Sequence, residues 1–203
     1  MEDGRIKEKT AVFLGDSITD CGRTYPQVSE FGRGYAALCI GALREAFPTA
    51  RLYNRGVAGE CITDIHRRWD RDCLSMRPDL VTFLAGVNDV DYAYRREGYG
   101  WAPQRLMRQL EEMFSAVKRT GAELVILEPF AFHGALYQDA YAPRLCRLRE
   151  ITRSLAARYA DAYVRPAIDA ARTLDGVHPT EEGHKILFEA WRQAAQGLRF
   201  FET

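Results

Sequence analysis

Thr10-Ala-Val-Phe-Leu-Gly-Asp-Ser-Ile-Thr-Asp20 is the stretch on which the reading of this chain turns. Ala11 to Leu14 form an unbroken apolar run with a β-branched and an aromatic member, the pattern of a strand buried on both faces. Gly15 follows, and glycine reaches backbone conformations closed to other residues, so a sharp turn is expected there. Ser17 then falls just past the C-terminal end of an inner strand, where open α/β sheets bind their ligands. Its backbone N–H, at the start of the next turn, is free to face a developing negative charge. A serine so placed is a candidate nucleophile, but Gly-Asp-Ser is equally compatible with an ordinary turn. A base, an orienting group and oxyanion donors must come from elsewhere in the chain.

Outward from this stretch, strand and helix patterns alternate five times. Arg51–Asn54, Leu80–Ala85, Leu124–Leu127 and a weak Ala162–Val164 read as further strands. Between them, apolar residues recur at helical spacing, as in Tyr35, Leu38, Cys39, Ala42, Leu43 and Ala46 before Pro48. Other helical faces carry Ile62, Ile65, Trp69 and Cys73, then Leu106, Leu110, Met113, Phe114 and Val117. The last helix carries Ile186, Leu187, Ala190, Trp191 and Ala194, with His184 expected on its exposed side. Residues 90–102, with four aromatics, read as a long loop suited to a sugar-stacking surface, a lid core or, the favoured reading, a subunit interface, and a short helix is expected before Thr173. Alternation without a run of strands implies an α/β fold, a three-layer α/β/α sandwich on a parallel five-stranded sheet of flavodoxin-like order 2-1-3-4-5.

Composition excludes several classes. The 203 residues suit one domain, 1–203, with 28 basic residues balancing 28 acidic ones, so no field favours nucleic acid or an anionic membrane surface. No apolar run is long enough for a membrane span or a signal-peptide core. Five cysteines without a Cys-x-x-Cys pair support neither a disulfide framework nor a zinc site, and a reducing cytoplasm is the expected compartment. Cys61 and Cys73 read as core thiols and His66 as a surface histidine. Gly32-Arg-Gly-Tyr-Ala-Ala37 fits a dinucleotide-binding pattern, but no strand precedes it.

Four short motifs fall at strand ends: Ser17 after the first strand, Gly59 after the second, Asn88 after the third, and Asp175 with His178 after the fifth. In a parallel sheet these ends share one edge, so residues far apart in sequence can meet. Each type fits acyl transfer. His178 can take the serine proton, and Asp175, three residues earlier, can orient its ring. The backbone N–H groups of Ser17 and Gly59 and the Asn88 amide can donate to a tetrahedral oxyanion.

Gly15-Asp-Ser-Ile-Thr-Asp20, Asn54-Arg-Gly-Val-Ala-Gly59, Gly86-Val-Asn-Asp89 and Asp175-Gly-Val-His178 resemble, in order, the four catalytic blocks of the GDSL/SGNH hydrolase family. The resemblance implies a three-layer ester hydrolase without metal or organic cofactor. It implies Ser17 as nucleophile, Gly59 and Asn88 as oxyanion donors, and Asp175 and His178 as orienter and base. The extended first block and Arg68-Trp69 are similar to bacterial intracellular acetylxylan esterases within that family. The expected activity is removal of acetyl groups from small carbohydrates, with a possible homo-oligomer as the working form. A lysophospholipase or thioesterase, and a catalytically silent carbohydrate-binding protein, are the alternatives. Asp16, Arg68, Trp69 and His133 are the candidate substrate contacts; Glu128 and Tyr137 extend the same polar surface.

Overall fold

The structure is a computed structural model that describes residues 8–24, 30–96, 99–132 and 141–202. Its five strands are β1 (Thr10–Gly15), β2 (Arg51–Gly56), β3 (Leu80–Leu84), β4 (Glu123–Leu127) and β5 (Ala162–Val164). All neighbours pair in parallel, in the order β2-β1-β3-β4-β5. The helices are α1 (Ser17–Asp20), α2 (Tyr35–Ala46), α3 (Ile62–Asp72), α4 (Val87–Arg95), α5 (Pro103–Thr120), α6 (Tyr141–Tyr159) and α7 (Glu181–Ala195).

Side chains along a strand alternate between faces, and the inner strands are apolar on both. Val12 and Leu14 of β1, Val81 and Phe83 of β3, and Leu124 and Ile126 of β4 pack under α3, α5 and α6. Ala11 and Phe13, Leu80 and Leu84, and Val125 and Leu127 face the other way, onto α2 and α7. Trp191 of α7 lies against Phe13 and donates from Nε1 to Thr82 Oγ1 at 3.0 Å, so the one polar atom of a fully buried indole is satisfied. At the opposite, N-terminal edge of the sheet, the Glu123 carboxylate accepts from the N–H groups of Arg199 (2.9 Å) and Phe200 (2.7 Å), which ties the C-terminal segment to β4.

Three expectations need correction. The first six residues of the segment expected as a loop from residue 90 are helical: α4 runs to Arg95, with an i,i+4 ion pair between Asp91 and Arg95. The short helix before Thr173 is a single 3-10 turn, Ala170–Arg172. Gly15 is a glycine for want of space and not for an unusual dihedral, because it is not among the positive-φ residues. A Cβ there would lie 2.2 Å from the Leu84 carbonyl oxygen and from Thr19 Oγ1. β1 and β3 are neighbouring interior strands, so that carbonyl cannot move alone.

Gly15→Ala is therefore expected to destabilise the chain by about 1–3 kcal/mol or more, as overpacked cores do. The measurement is the shift in urea midpoint relative to a Gly121→Ala control, whose Cβ would meet nothing within 4 Å but which carries a positive φ. The control isolates dihedral strain from collision, and the Gly15 variant should lose more.

Candidate active site

Ser17 opens α1 directly after β1, where Asp16 caps the turn by accepting the Ile18 N–H at 3.1 Å on Oδ1. His178 and Asp175 lie between β5 and α7 on a loop closed by the Thr173–Pro179 bridge. Within that loop the Leu174 N–H donates to the His178 carbonyl at 2.7 Å, and the Gly176 N–H donates to Thr173 Oγ1 at 3.1 Å. The loop is pinned to the end of β4 by Phe132 N–H donating to the Gly176 carbonyl at 2.6 Å.

The three side chains form an unbroken relay. Ser17 Oγ lies 2.9 Å from His178 Nε2, and His178 Nδ1 lies 2.7 Å from Asp175 Oδ2. Asp175 Oδ1 also accepts the backbone N–H groups of His178 (2.8 Å) and Val177 (3.0 Å). Burial works against the Asp175 charge, but these N–H donors and the imidazole outweigh it and hold the carboxyl down at about 2. An ionised Asp175 fixes the proton of neutral His178 on Nδ1, which leaves Nε2 to accept from the serine hydroxyl.

The loop after β2 is held against this relay from several sides. Ala58 N–H donates to Asp20 Oδ2 at 3.0 Å, and Arg23 Nη2 donates to the Gly56 carbonyl at 2.8 Å. Asn88 Nδ2 donates to the Glu60 carbonyl at 2.9 Å, and the Tyr92 hydroxyl to the Gly59 carbonyl at 3.0 Å. Asp89 Oδ2 accepts the Ile62 N–H, 2.9 Å away, at the start of α3. Gly59 sits at φ +79°, where a side chain would be strained. An amide nitrogen carries two N–H bonds, so Asn88 retains one after serving Glu60. Among the described residues the Ser17 and Gly59 N–H groups have no acceptor.

Two acids behind the site are buried. Burial raises Asp16 to about 6, despite the Ile18 N–H and nearby His178, and its Oδ2 has no hydrogen-bond partner among the described residues. Asp89 is raised to about 7, by burial first and also by the proximity of Asp16.

The candidate substrate contacts fare differently. Asp16 is 1% exposed and serves as a helix cap, so it faces the interior. Trp69 is 3% exposed and packs edge-on against Phe83, on the core side of α3. Arg68, one position along, is buried between Glu60 (2.6 Å) and Asp72 (3.1 Å). Helical phase puts Ile65, Arg68 and Trp69 on the inward side of α3, three and four residues apart, which takes Arg68 and Trp69 off the open surface. Glu128 is likewise enclosed, with Tyr163 and Arg153 on its Oε2. His133 and Tyr137 lie outside the described residues. His66 is half-buried and bonded to Glu112.

His184 is the further correction: it is 6% exposed, not a surface residue. Its Nδ1 accepts the Tyr35 N–H at 3.1 Å and its Nε2 lies 3.2 Å from Cys21 Sγ. The Thr180 N-cap, which accepts the Gly183 N–H, starts α7 so that its first turn, not only its middle, faces α2. Burial, aided by nearby His178, lowers His184 to about 4.

A model of the GDSL-like lipase/acylhydrolase family matches residues 13–186. The chain belongs to that family. It is 29% identical over 199 residues to an acetylxylan esterase of Geobacillus stearothermophilus, covering 89% of this chain and 90% of the relative. The crystal structure of an acetylxylan esterase from that organism superposes with a TM-score of 0.81 at 26% identity, covering 95% of each chain. A structure from Parabacteroides merdae, described as a GDSL-like lipase, gives 0.83 at 28% identity over 93% of this chain and 95% of its own. As a member of this acylhydrolase family, the chain is a carboxylic ester hydrolase. Among the described residues no group of three His, Cys, Asp or Glu could hold a metal, and no helix is long and apolar enough to cross a membrane.

The buried His184 makes a stability prediction. Its folded pKa of about 4 lies below the unfolded 6.5, so unfolding takes up a proton between those values. Its contribution is complete above about pH 6.5 and is lost as pH falls towards 4, by no more than about 3 kcal/mol. Asp16 and Asp89, raised by burial, act with the opposite sign, so the comparison must be between variants. His184→Asn, which keeps an acceptor for the Tyr35 N–H, should show a smaller fall in urea midpoint from pH 6.5 to 4 than the unsubstituted chain.

Proposed function

We propose that this chain is a serine esterase that removes acetyl groups from O-acetylated carbohydrates through an acyl-enzyme. The observation that carries the reading is the relay of 2.9 and 2.7 Å from Ser17 through His178 to Asp175. Ser17 Oγ attacks the ester carbonyl carbon while His178 Nε2 takes the hydroxyl proton. Negative charge on the carbonyl oxygen is met by the N–H groups of Ser17 and Gly59 and by the second Asn88 amide N–H. The ester C–O bond breaks as His178 returns the proton to the departing sugar hydroxyl. Water then attacks the acyl-serine, giving its proton to His178, and acetate leaves as Ser17 recovers its proton. Throughout, Asp175 keeps the imidazole oriented and offsets its transient positive charge.

The relatives support this reading. An acetylxylan esterase is similar over nearly the whole chain, and catalytic mutants of that esterase have been solved at a serine, an aspartate and a histidine. Its aspartate and histidine are three positions apart, as Asp175 and His178 are. The described loops at the site contain no long apolar insertion to line a fatty chain, which would need roughly 0.8 kcal/mol of apolar wall per methylene. Five free cysteines fit a reducing compartment, the cytoplasm.

Ser17→Ala and His178→Ala should each remove nearly all hydrolysis of p-nitrophenyl acetate while the fold is kept, and the double variant should be little worse. More than a few per cent of activity in Ser17→Ala defeats the nucleophile assignment. Asn88→Ala should lower kcat by about 10²–10³ with KM little changed. A change in KM alone would make Asn88 a ground-state contact. Across p-nitrophenyl esters, acetyl should give a higher kcat/KM than butyryl or octanoyl, and the reverse order would favour a lipid hydrolase.

A further inference from the structure

Between the start of α3 and the end of α4, with Cys61 in its wall, lies a cavity of about 300 Å³. Arg67, Arg96 and Arg105 line it, together with Tyr92, Tyr99 and, among the described residues, one acid, Asp64. Asp64 is already engaged, accepting the Cys61 N–H at 3.1 Å and facing Arg67 Nη1 at 3.3 Å. Arg96 and Arg105 have no carboxylate partner among the described residues. Arg96 stacks over the Tyr92 ring with its guanidinium 3.8 Å from the centroid, and Tyr92 meets Tyr99 edge to face at 5.7 Å. The Tyr92 hydroxyl, in turn, donates to the Gly59 carbonyl, so one wall of the cavity is also the support of the loop beside Ser17.

Two guanidiniums that line one cavity without a carboxylate partner among the described residues attract an anion, and a guanidinium matches the two oxygens of a carboxylate. Stacking on Tyr92 holds Arg96 in place, so little of its freedom remains to be lost on binding. Tyrosine rings offer the amphipathic surface on which the apolar face of a sugar ring packs. We propose that this cavity is a subsite for the carboxylate of an acidic sugar unit in the acetylated substrate. The inference rests on the esterase reading above, and deepens it by assigning charge to the leaving group. Binding there tethers the saccharide beside the Gly59 loop and raises its effective concentration at Ser17.

The test compares two acetylated xylo-oligosaccharides of equal length, one bearing a uronic acid branch and one neutral, with p-nitrophenyl acetate as a third substrate. The unsubstituted chain should favour the acidic substrate by roughly tenfold in kcat/KM, chiefly through KM, and the preference should shrink as salt is raised. In Arg105→Gln, which removes no hydrogen bond to Tyr92 or the Gly59 loop among the described residues, the acidic-to-neutral ratio should fall, and in Arg96→Gln/Arg105→Gln it should approach one. Because the ratio is taken within each protein, a general loss of activity does not imitate the effect. Equal kcat/KM for the two saccharides in the unsubstituted chain, or a full preference kept in the double variant, overturns the subsite. Failure to hydrolyse p-nitrophenyl acetate at all overturns the esterase reading instead.

Discussion

The position of Ser17 depends on how closely backbone can approach backbone where β1 ends. Gly15 passes between the Leu84 carbonyl of β3 and the Thr19 side chain with no room for a Cβ. That contact brings the first turn of α1 down onto the sheet edge, where Val57 N–H reaches the Gly15 carbonyl at 3.1 Å and Asp20 reaches Ala58. A larger residue would lift the turn and separate the serine from both the β2 loop and the histidine loop. Close packing at one residue thus sets three distances at the site.

The rest of the site is braced by polar groups of α4. Asn88 touches the Glu60 carbonyl, Asp89 the Ile62 N–H, and Tyr92 the Gly59 carbonyl, all within the first turns of α4. A helix gives these three side chains fixed relative positions, so the loop from Gly59 to Ile62 is braced by one rigid element. Fixed donors cost no reorganisation when charge develops, which is the requirement for an oxyanion site. The acids beneath it, Asp16 and Asp89, bear a different cost. Each gives an oxygen to a backbone N–H, yet burial pushes both carboxyls towards their neutral forms.

Much of this was legible without coordinates. The apolar runs located every strand, and parallel connection then required Ser17, Gly59, Asn88, Asp175 and His178 to share an edge. The failures have a common cause. Arg68, Trp69, Asp16 and His184 are polar or amphipathic residues near recognisable motifs, and all four turned out to be interior. Trp69 and His184 each lie one helical turn from residues on the buried stripe, and their placement depends on which neighbouring helix covers them. The helical start of α4 at Val87-Asn88-Asp89 was not legible, because a turn and a first helical turn share the same local hydrogen bonds.

The sequence by itself determined the α/β alternation, the five-strand order and the residue types gathered at the sheet edge. It could do so because apolar periodicity and turn chemistry are local properties, and parallel crossovers have one hand. Only the tertiary structure decided that Asp175 is held ionised by two backbone N–H groups, that Tyr92 supports Gly59, and that Arg96 and Arg105 face one cavity. The Tyr92–Gly59 contact joins segments that nothing in the chain's order brings together, and the Asp175 contacts, though local, depend on how their loop is folded. Burial and charge are properties of the assembled surroundings, so they come into being only when the helices close over the sheet.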